Sequence, residues 1–326
     1  MPRLNLVQAV NDAMMVEMRR DDRVLVMGQD VGVNGGVFRA TEGLYNEFGP
    51  DRCIDTPLAE SAIVGTAVGM AVYGLRPVVE IQFDGFMPPA FDQIVSHVAR
   101  IRNRSRGRFT CPMVIRAPYA GGVRAPEHHS ESPEAWYAHV PGLKVVIPAT
   151  PYDAKGLLIA AIRDPDPVIF LEPKSIYRAF REEVPAEAYT VPIGKARVVQ
   201  EGTDLTVIAW GAMLHLAQKV VQDVQAETGW SIELIDLRTI SPVDRETIIH
   251  SVQKTGRCVI VHEAPQQGGF GGELIALINE HAFFHLQAPV ARVCGYDVPT
   301  PFFAREQFHL PSPQRTRAAI EQVMAS

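Results

Sequence analysis

Arg23-Val24-Leu25-Val26-Met27-Gly28-Gln29-Asp30 is the stretch that decides the fold. Its apolar run shows no polar alternation, which is how a strand reads when both faces of its sheet are covered. The run stops at Gln29-Asp30, and a loop with Gly32, Gly35 and Gly36 follows. Upstream, Asn5 can cap a helix whose stripe is Leu6, Val10, Ala13, Met14 and Met18. Downstream, a helix is expected over 59–73, a strand over 77–83 and a helix over 91–101. Strands over 113–115 and 145–147, a helix over 151–162 and a strand over 168–171 complete this half. Residues 172–200 are rich in charge, carry Pro173, Pro185 and Pro192, and read as a connector. The alternation then restarts, with strands over 205–209, 232–236, 258–261 and 289–293. The helices of this half fall over 214–227, 244–254, 272–281 and 314–324. Strands alternating with helices imply mostly parallel sheets with helices on both faces. The expected fold class is therefore α/β, with two doubly wound domains at 1–184 and 201–326 and a connector at 185–200.

Composition narrows the function. The chain has 326 residues, a net charge of −6, 47% hydrophobic and 21% charged residues, which excludes disorder, collagen and a disulfide scaffold. Mild acidity argues against nucleic acid as a partner, because such binders need a basic surface. No membrane is expected either: the longest mostly apolar stretch, Ala62 to Gly74, falls short of the ~20 residues a bilayer demands. Asp12 and Glu17 interrupt the apolar residues of the N-terminus, which does not read as a signal peptide. Cys53, Cys111, Cys258 and Cys294 form no CxxC motif, and free thiols without an export signal suggest a cytoplasmic protein.

Open parallel sheets bind ligands beyond the carboxyl ends of their strands. That rule points to Gln29-Asp30, residues 82–86 and 117–129, Gly211 and His262-Glu263. There is no Walker loop, GxGxxG motif or Gly-x-Ser-x-Gly elbow, and Gly268-Gly269-Phe270-Gly271-Gly272 reads as a turn opening a helix. His128-His129-Ser130-Glu131 is open to three readings: a polar loop, a catalytic histidine at the mouth of a sheet, or metal ligands. The last is the weakest, because adjacent side chains point apart. Glu60 is either a first-turn glutamate favoured by the helix dipole or a general acid–base carboxylate at the edge of a crevice. Arg100, Arg102, Arg104, Arg106 and Arg108 suit a solvent-facing helix end or a docking patch for an acidic partner. Gly65 and Gly69 share a helix face that another backbone can approach closely.

A set of motifs in fixed order adds a resemblance. It runs through Thr56-Pro57-Leu58-Ala59-Glu60, Glu80-Ile81-Gln82-Phe83, Phe91-Asp92-Gln93, His128 to Ala135, and Thr150 to Leu158. It continues through Phe170 to Lys174, Ile235 to Thr239 and Gly295-Tyr296-Asp297. Together these resemble the beta subunit of the thiamine-diphosphate-dependent, decarboxylating component of 2-oxo acid dehydrogenase complexes. The likeness covers nearly the whole chain. It implies an N-terminal thiamine pyrimidine-binding domain and a C-terminal transketolase-like domain. It also implies an alpha subunit as partner in an α₂β₂ heterotetramer, a lipoyl-bearing acyltransferase core, and a 2-oxo acid substrate. The alpha chain of such enzymes carries a Gly-Asp-Gly…Asn motif that holds Mg²⁺ and the diphosphate. Here Asp84-Gly85 lacks the first glycine, so this chain is expected to form half of a cofactor site.

By the same resemblance, Glu60 bonds the aminopyrimidine of thiamine diphosphate and promotes loss of the ring proton. A carboxyl in a dry crevice can titrate well above its ordinary value. Leu58 would offer its backbone carbonyl, Gln82 would help place the pyrimidine, and Phe86 would stack on it. His129 would face the thiazolium and the incoming lipoyl group, with His128 the weaker candidate. A structural potassium ion is implied at Met113, Ala161, Ile162, Asp164 and Asp166, mostly through backbone carbonyls. On substrate the motifs divide. His262-Glu263-Ala264-Pro265, Gly295-Tyr296-Asp297 and Phe91 to Val95 resemble branched-chain relatives, whereas Phe83-Asp84-Gly85-Phe86 resembles pyruvate relatives. Branched-chain-type proteins often carry tyrosine where this chain has Phe86. The balance falls on branched-chain 2-oxo acids, with pyruvate or an acetoin-cleaving reaction as alternatives. A reading of a different class is a non-catalytic scaffold subunit that docks the core.

Overall fold

The structure, a computed structural model, describes residues 1–326. Its strands are β1 (Arg3–Leu4), β2 (Val24–Gly28), β3 (Cys53–Asp55), β4 (Arg76–Glu80), β5 (Val114–Tyr119), β6 (Lys144–Val146) and β7 (Val168–Pro173). They continue with β8 (Glu182–Glu183), β9 (Arg197–Gln200), β10 (Leu205–Ala209), β11 (Ile232–Asp236), β12 (Thr239–Ser241), β13 (Cys258–Pro265) and β14 (Ala291–Gly295). A seven-stranded sheet has the order β12-β6-β7-β5-β4-β2-β3, and a five-stranded sheet the order β14-β13-β10-β11-β9. All pairs are parallel except the edge pairs β12–β6 and β11–β9. β1 and β8 form a separate antiparallel pair.

Alternate side chains of each strand feed opposite apolar layers. Val24 and Val26 enter one with the helices Leu6–Arg20, Pro151–Arg163, Ala212–Thr228 and Pro313–Met324. Leu25 and Met27 enter the other with Glu60–Tyr73, Arg245–Thr255 and Gly271–Ala282. Covering on both faces is why these strands read as unbroken apolar runs. Each layer passes from one sheet to the next, so the two domains share their cores. β12 rivets them further by leaving the C-terminal domain to extend the N-terminal sheet. Beside it Arg238 bonds Asp153 at 2.7 Å across the seam.

Several elements differ from expectation for local reasons. The first helix is capped as expected, with Asn5 and Gln8 forming a reciprocal capping box. The helix expected over 91–101 is broken into Phe91–Ser96, a 3₁₀ turn at Val98–Arg100, and Ile101–Arg104. The strand expected over 77–83 ends at Glu80, because the chain turns at Asp84–Phe86. β3, β9 and β12 have three or four residues each, too few to show a period. The helix Glu60–Tyr73 buries only Ile63, Val64, Ala67 and Ala71. Its glycine face packs on no backbone of this chain: Gly65 faces the Gln93 side chain and Gly69 faces open space. No helix is long and apolar enough to cross a membrane.

Candidate active site

Parallel strands send their carboxyl ends to one edge of the large sheet. Gln29-Asp30 follow β2, Thr56 to Glu60 follow β3, Gln82 and Phe86 follow β4, and the histidine loop follows β5. Glu60 opens the helix Glu60–Tyr73, half-buried, with no hydrogen bond or ion pair inside the chain. Its neighbour Ser61 donates through Oγ to the Pro89 carbonyl, which ties this corner to the turn after Phe86. The Leu58 side chain is 70% exposed. Its carbonyl accepts no backbone hydrogen bond, and the nearby Thr56 Oγ1 is buried without a partner. Gln82 Nε2 donates to Asp30 Oδ2 at 3.1 Å.

Phe83, Phe86 and His129 form an aromatic corner. The His129 ring lies 4.2 Å from that of Phe83, and 5.0 Å from Phe86, which it meets edge to face. His129 Nδ1 is 2.7 Å from the Glu127 carbonyl. A carbonyl only accepts, so Nδ1 carries the proton and Nε2 is left free. His128 points elsewhere: it is exposed and its backbone has φ of +66°. The loop at His128 rides on Gly85, where a Cβ would sit 2.1 Å from the His128 carbonyl oxygen. Gly85 therefore has a steric role, since any larger residue would push the histidine loop away. Asp84 is buried and accepts from the backbone N–H of Gly85 at 3.0 Å and of Ala120 at 3.1 Å. Burial raises its pKa to about 7, against the pull of Lys174. Sequence reading took Asp84-Gly85 for a motif fragment and overlooked Phe83 as a partner for His129. An Asp-Gly pair just beyond a strand was the available signal.

Beneath the edge lies a buried ion cluster. Arg116 donates to both oxygens of Glu172, at 2.6 and 2.8 Å, and also pairs with Glu80. Tyr177 Oη donates to Glu172 at 2.5 Å. Burial pushes the Glu80 carboxyl up, and Arg116 opposes it.

The oxygens expected around potassium are engaged within the chain. Val168 N donates to Met113 O, Asp164 N to Ala161 O, and Arg76 Nη1 to Ile162 O and Asp164 O. Lys144 holds the Asp164 carboxylate and Arg102 that of Asp166. The two carboxylates of this corner are thus already neutralised by an ammonium and a guanidinium group. No three His, Cys, Asp or Glu side chains are grouped to hold a metal ion. The arginine run stays on the surface, with Arg104 turned back on Ser96.

Comparison with known proteins follows the same architecture. A family model described as "Transketolase, pyrimidine binding domain" matches residues 3–179, and one described as "Transketolase, C-terminal domain" matches residues 194–316. A solved structure described as "Split gene transketolase, inactive beta4 tetramer" covers 99% of this chain and is itself covered to 99%, with a TM-score of 0.81 at 22% identity. Fold and matches define a two-domain, transketolase-like α/β protein. The "Pyruvate dehydrogenase E1 component subunit beta" of Acholeplasma laidlawii is 55% identical over 320 residues, 98% of each chain. The protein of the same description from Bacillus subtilis (strain 168) is 53% identical over 312 residues, 96% of each chain. The chain belongs to the beta-subunit family of thiamine-diphosphate-dependent 2-oxo acid dehydrogenases.

Proposed function

We propose that this chain, paired with an alpha subunit, forms the decarboxylating component of a pyruvate dehydrogenase. The leaning towards branched-chain 2-oxo acids gives way here, because the relatives that share more than half of its residues are described as pyruvate dehydrogenase subunits. The observation that carries the reading is Glu60: an unpartnered carboxyl beyond a parallel sheet edge, beside the free Leu58 carbonyl and the orphaned Thr56 hydroxyl. Those groups fit one polar edge of an aminopyrimidine, and the half-exposed Phe86 ring fits its face. The outer face of the helix Glu60–Tyr73, with small exposed residues at Ala62 and Gly69 and Tyr73 88% exposed, fits a surface that another subunit covers.

Thiamine diphosphate, held by Glu60, Leu58 O, Gln82 and Phe86, would supply a nucleophilic carbon and an electron sink for decarboxylation of the 2-oxo acid. Mg²⁺ would be held by the alpha subunit. Glu60 holds a proton against the pyrimidine edge and moves it as the ring proton leaves. Leu58 O and Gln82 orient the pyrimidine, and Phe86 supports it from one side. His129 presents Nε2, its tautomer set by Glu127 O, to steady developing charge or pass a proton as the acyl group moves to lipoamide. Phe83 and Phe86 exclude water from the imidazole.

The test is reconstitution with the alpha subunit, followed by specificity constants for pyruvate and 2-oxoisovalerate. Pyruvate is expected to win; preference for 2-oxoisovalerate would restore the branched-chain reading. Cofactor is expected to bind the assembled pair and not the isolated chain.

A further inference from the structure

The loop that carries His129, residues 120–131, is held from outside its own domain. At its base Ala120 N donates to Asp84, and Lys174 Nζ donates to Ala120 O. From the C-terminal domain, Glu263 near the end of β13 accepts from Gly121 N at 2.9 Å. Glu306, in the segment after β14, accepts from Arg124 N at 2.7 Å. Phe303 N donates to Ala125 O at 3.3 Å, and Thr300 Oγ1 donates to Glu131 Oε2 at 3.3 Å. Glu263 is 5% and Glu306 2% exposed. Gly121 leaves no room for a side chain, since a Cβ would sit 2.9 Å from Glu306 Oε1.

Two buried carboxylates spent on the backbone of a surface loop need a reason. Bonds from amides to ionised oxygens are short and strong, but burying the charges is costly. Asp84, Glu131, Glu263 and Glu306 all surround Lys174, so the cluster is short of cations. An apolar pocket would serve stability better. What the carboxylates supply is direction, because each accepts a particular N–H and fixes the path of the loop.

We propose that Glu263 and Glu306 are positioning residues for His129, a clamp by which the C-terminal domain sets the histidine loop over the half-site. The inference rests on the role given to His129 above. With Gly121 and Arg124 pinned, the loop turns back so that Glu127 O meets His129 Nδ1 and the ring settles on Phe83. The C-terminal domain thereby takes part in catalysis without touching substrate.

The experiment uses the holoenzyme reconstituted with the alpha subunit, measuring lipoamide acylation and cofactor binding separately. Glu306→Ala is expected to lower kcat for acylation about 10- to 100-fold, the scale of a small misplacement of a reacting group. KM for the 2-oxo acid and cofactor affinity stay within about twofold, an expectation that follows because uniform binding is untouched. Glu306→Gln keeps an oxygen for Arg124 N and restores most of the rate. In a His129→Ala background, Glu306→Ala has no further effect, because one residue acts through the other. Should Glu306→Ala fail to assemble, Glu306→Asp withdraws the carboxylate by one methylene and carries the same readouts. A crippled His129→Ala beside a fully active Glu306→Ala, or fully additive losses in the double variant, overturns the clamp alone. His129→Ala with full acylation overturns the reading of His129 and the clamp with it.

Discussion

Glu60 and His129 stand beyond the same sheet edge but are supported in opposite ways. The Glu60 carboxyl has no partner in its own chain, and its corner is tied down by the bonds of its neighbours, Thr56 N to Gly28 O and Ser61 Oγ to Pro89 O. His129 donates to a carbonyl, rests on two phenylalanines, and sits in a loop bonded to both domains. A polar group left without partners is available to something that arrives from outside. A group bonded and packed on several sides has its orientation set in advance. On the function proposed above, the half-site would thus offer one open carboxyl for a cofactor and one pre-set imidazole for the chemistry that follows.

The largest effect should come from the open side. Glu60→Ala is expected to lower decarboxylation by the reconstituted enzyme roughly 10²–10⁴-fold, the range for a lost general acid–base group. The melting temperature of the isolated chain should shift by no more than about 1 °C, since no intrachain bond is lost. Full activity with cofactor bound would end the assigned role and the contrast with it.

How much of this was legible in the sequence follows the same division. Glu60 and His129 lay in motif order, but the rule of strand ends pointed only to the neighbourhood of His129, because the short strand Cys53–Asp55 that precedes Glu60 shows no period of its own. The clamp was not legible. Glu306 lies in a four-residue helix after an irregular stretch, and no periodicity connects it to Arg124, 182 residues earlier. Asp84 and Gly85 read only as an incomplete Gly-Asp-Gly motif, because burial and the passage of another backbone overhead belong to tertiary structure. The helix expected over 91–101 is broken in the fold, where tertiary context overrides the local preference. β12 was missed because it belongs by sequence to one domain and by pairing to the other.

Below the two groups, the Arg116 cluster sharpens the comparison. Its charges are wholly enclosed, so removing one leaves the others bare. Arg116→Met is expected to cost about 3–5 kcal/mol of stability, read from denaturant midpoints, by stranding Glu80 and Glu172. A loss under about 1 kcal/mol would mean that the cluster relaxes or takes in water, and that the floor of the site is softer than its walls.

Glu134 is the buried counterpart of Glu60. Neither of its oxygens has a hydrogen-bond partner, and Tyr119, Trp210 and Glu263 are the polar groups around it. Burial raises its pKa to about 8, so the folded chain keeps a proton that the unfolded chain releases near ~4.3. Its contribution to stability is fully present below the unfolded value and is lost as pH rises through about 8. Glu134→Gln stays neutral throughout. The variant should therefore gain on the parent as pH is raised from 5 to 8. Parallel pH curves for the two proteins would show that Glu134 is already ionised in the fold.

Phe86→Tyr should have the smallest effect, and it bears on both sides of the comparison, because Phe86 packs on the His129 ring and is proposed to support the pyrimidine that Glu60 would bond. Its ring meets His129 edge to face at 79° and Phe83 at 83°, so the packing depends on the ring and not on its tip. A hydroxyl leaves stacking intact and adds one donor at a half-exposed position. Cofactor affinity is expected to change by less than about 1 kcal/mol, since a neutral hydrogen bond is worth about that much. The ratio of specificity constants for pyruvate and 2-oxoisovalerate should move by less than about tenfold, the lower end of what one small group in a pocket can discriminate. A shift of about a hundredfold would make this single ring the determinant of substrate choice. The open side of the half-site would then be selecting the substrate as well as receiving the cofactor.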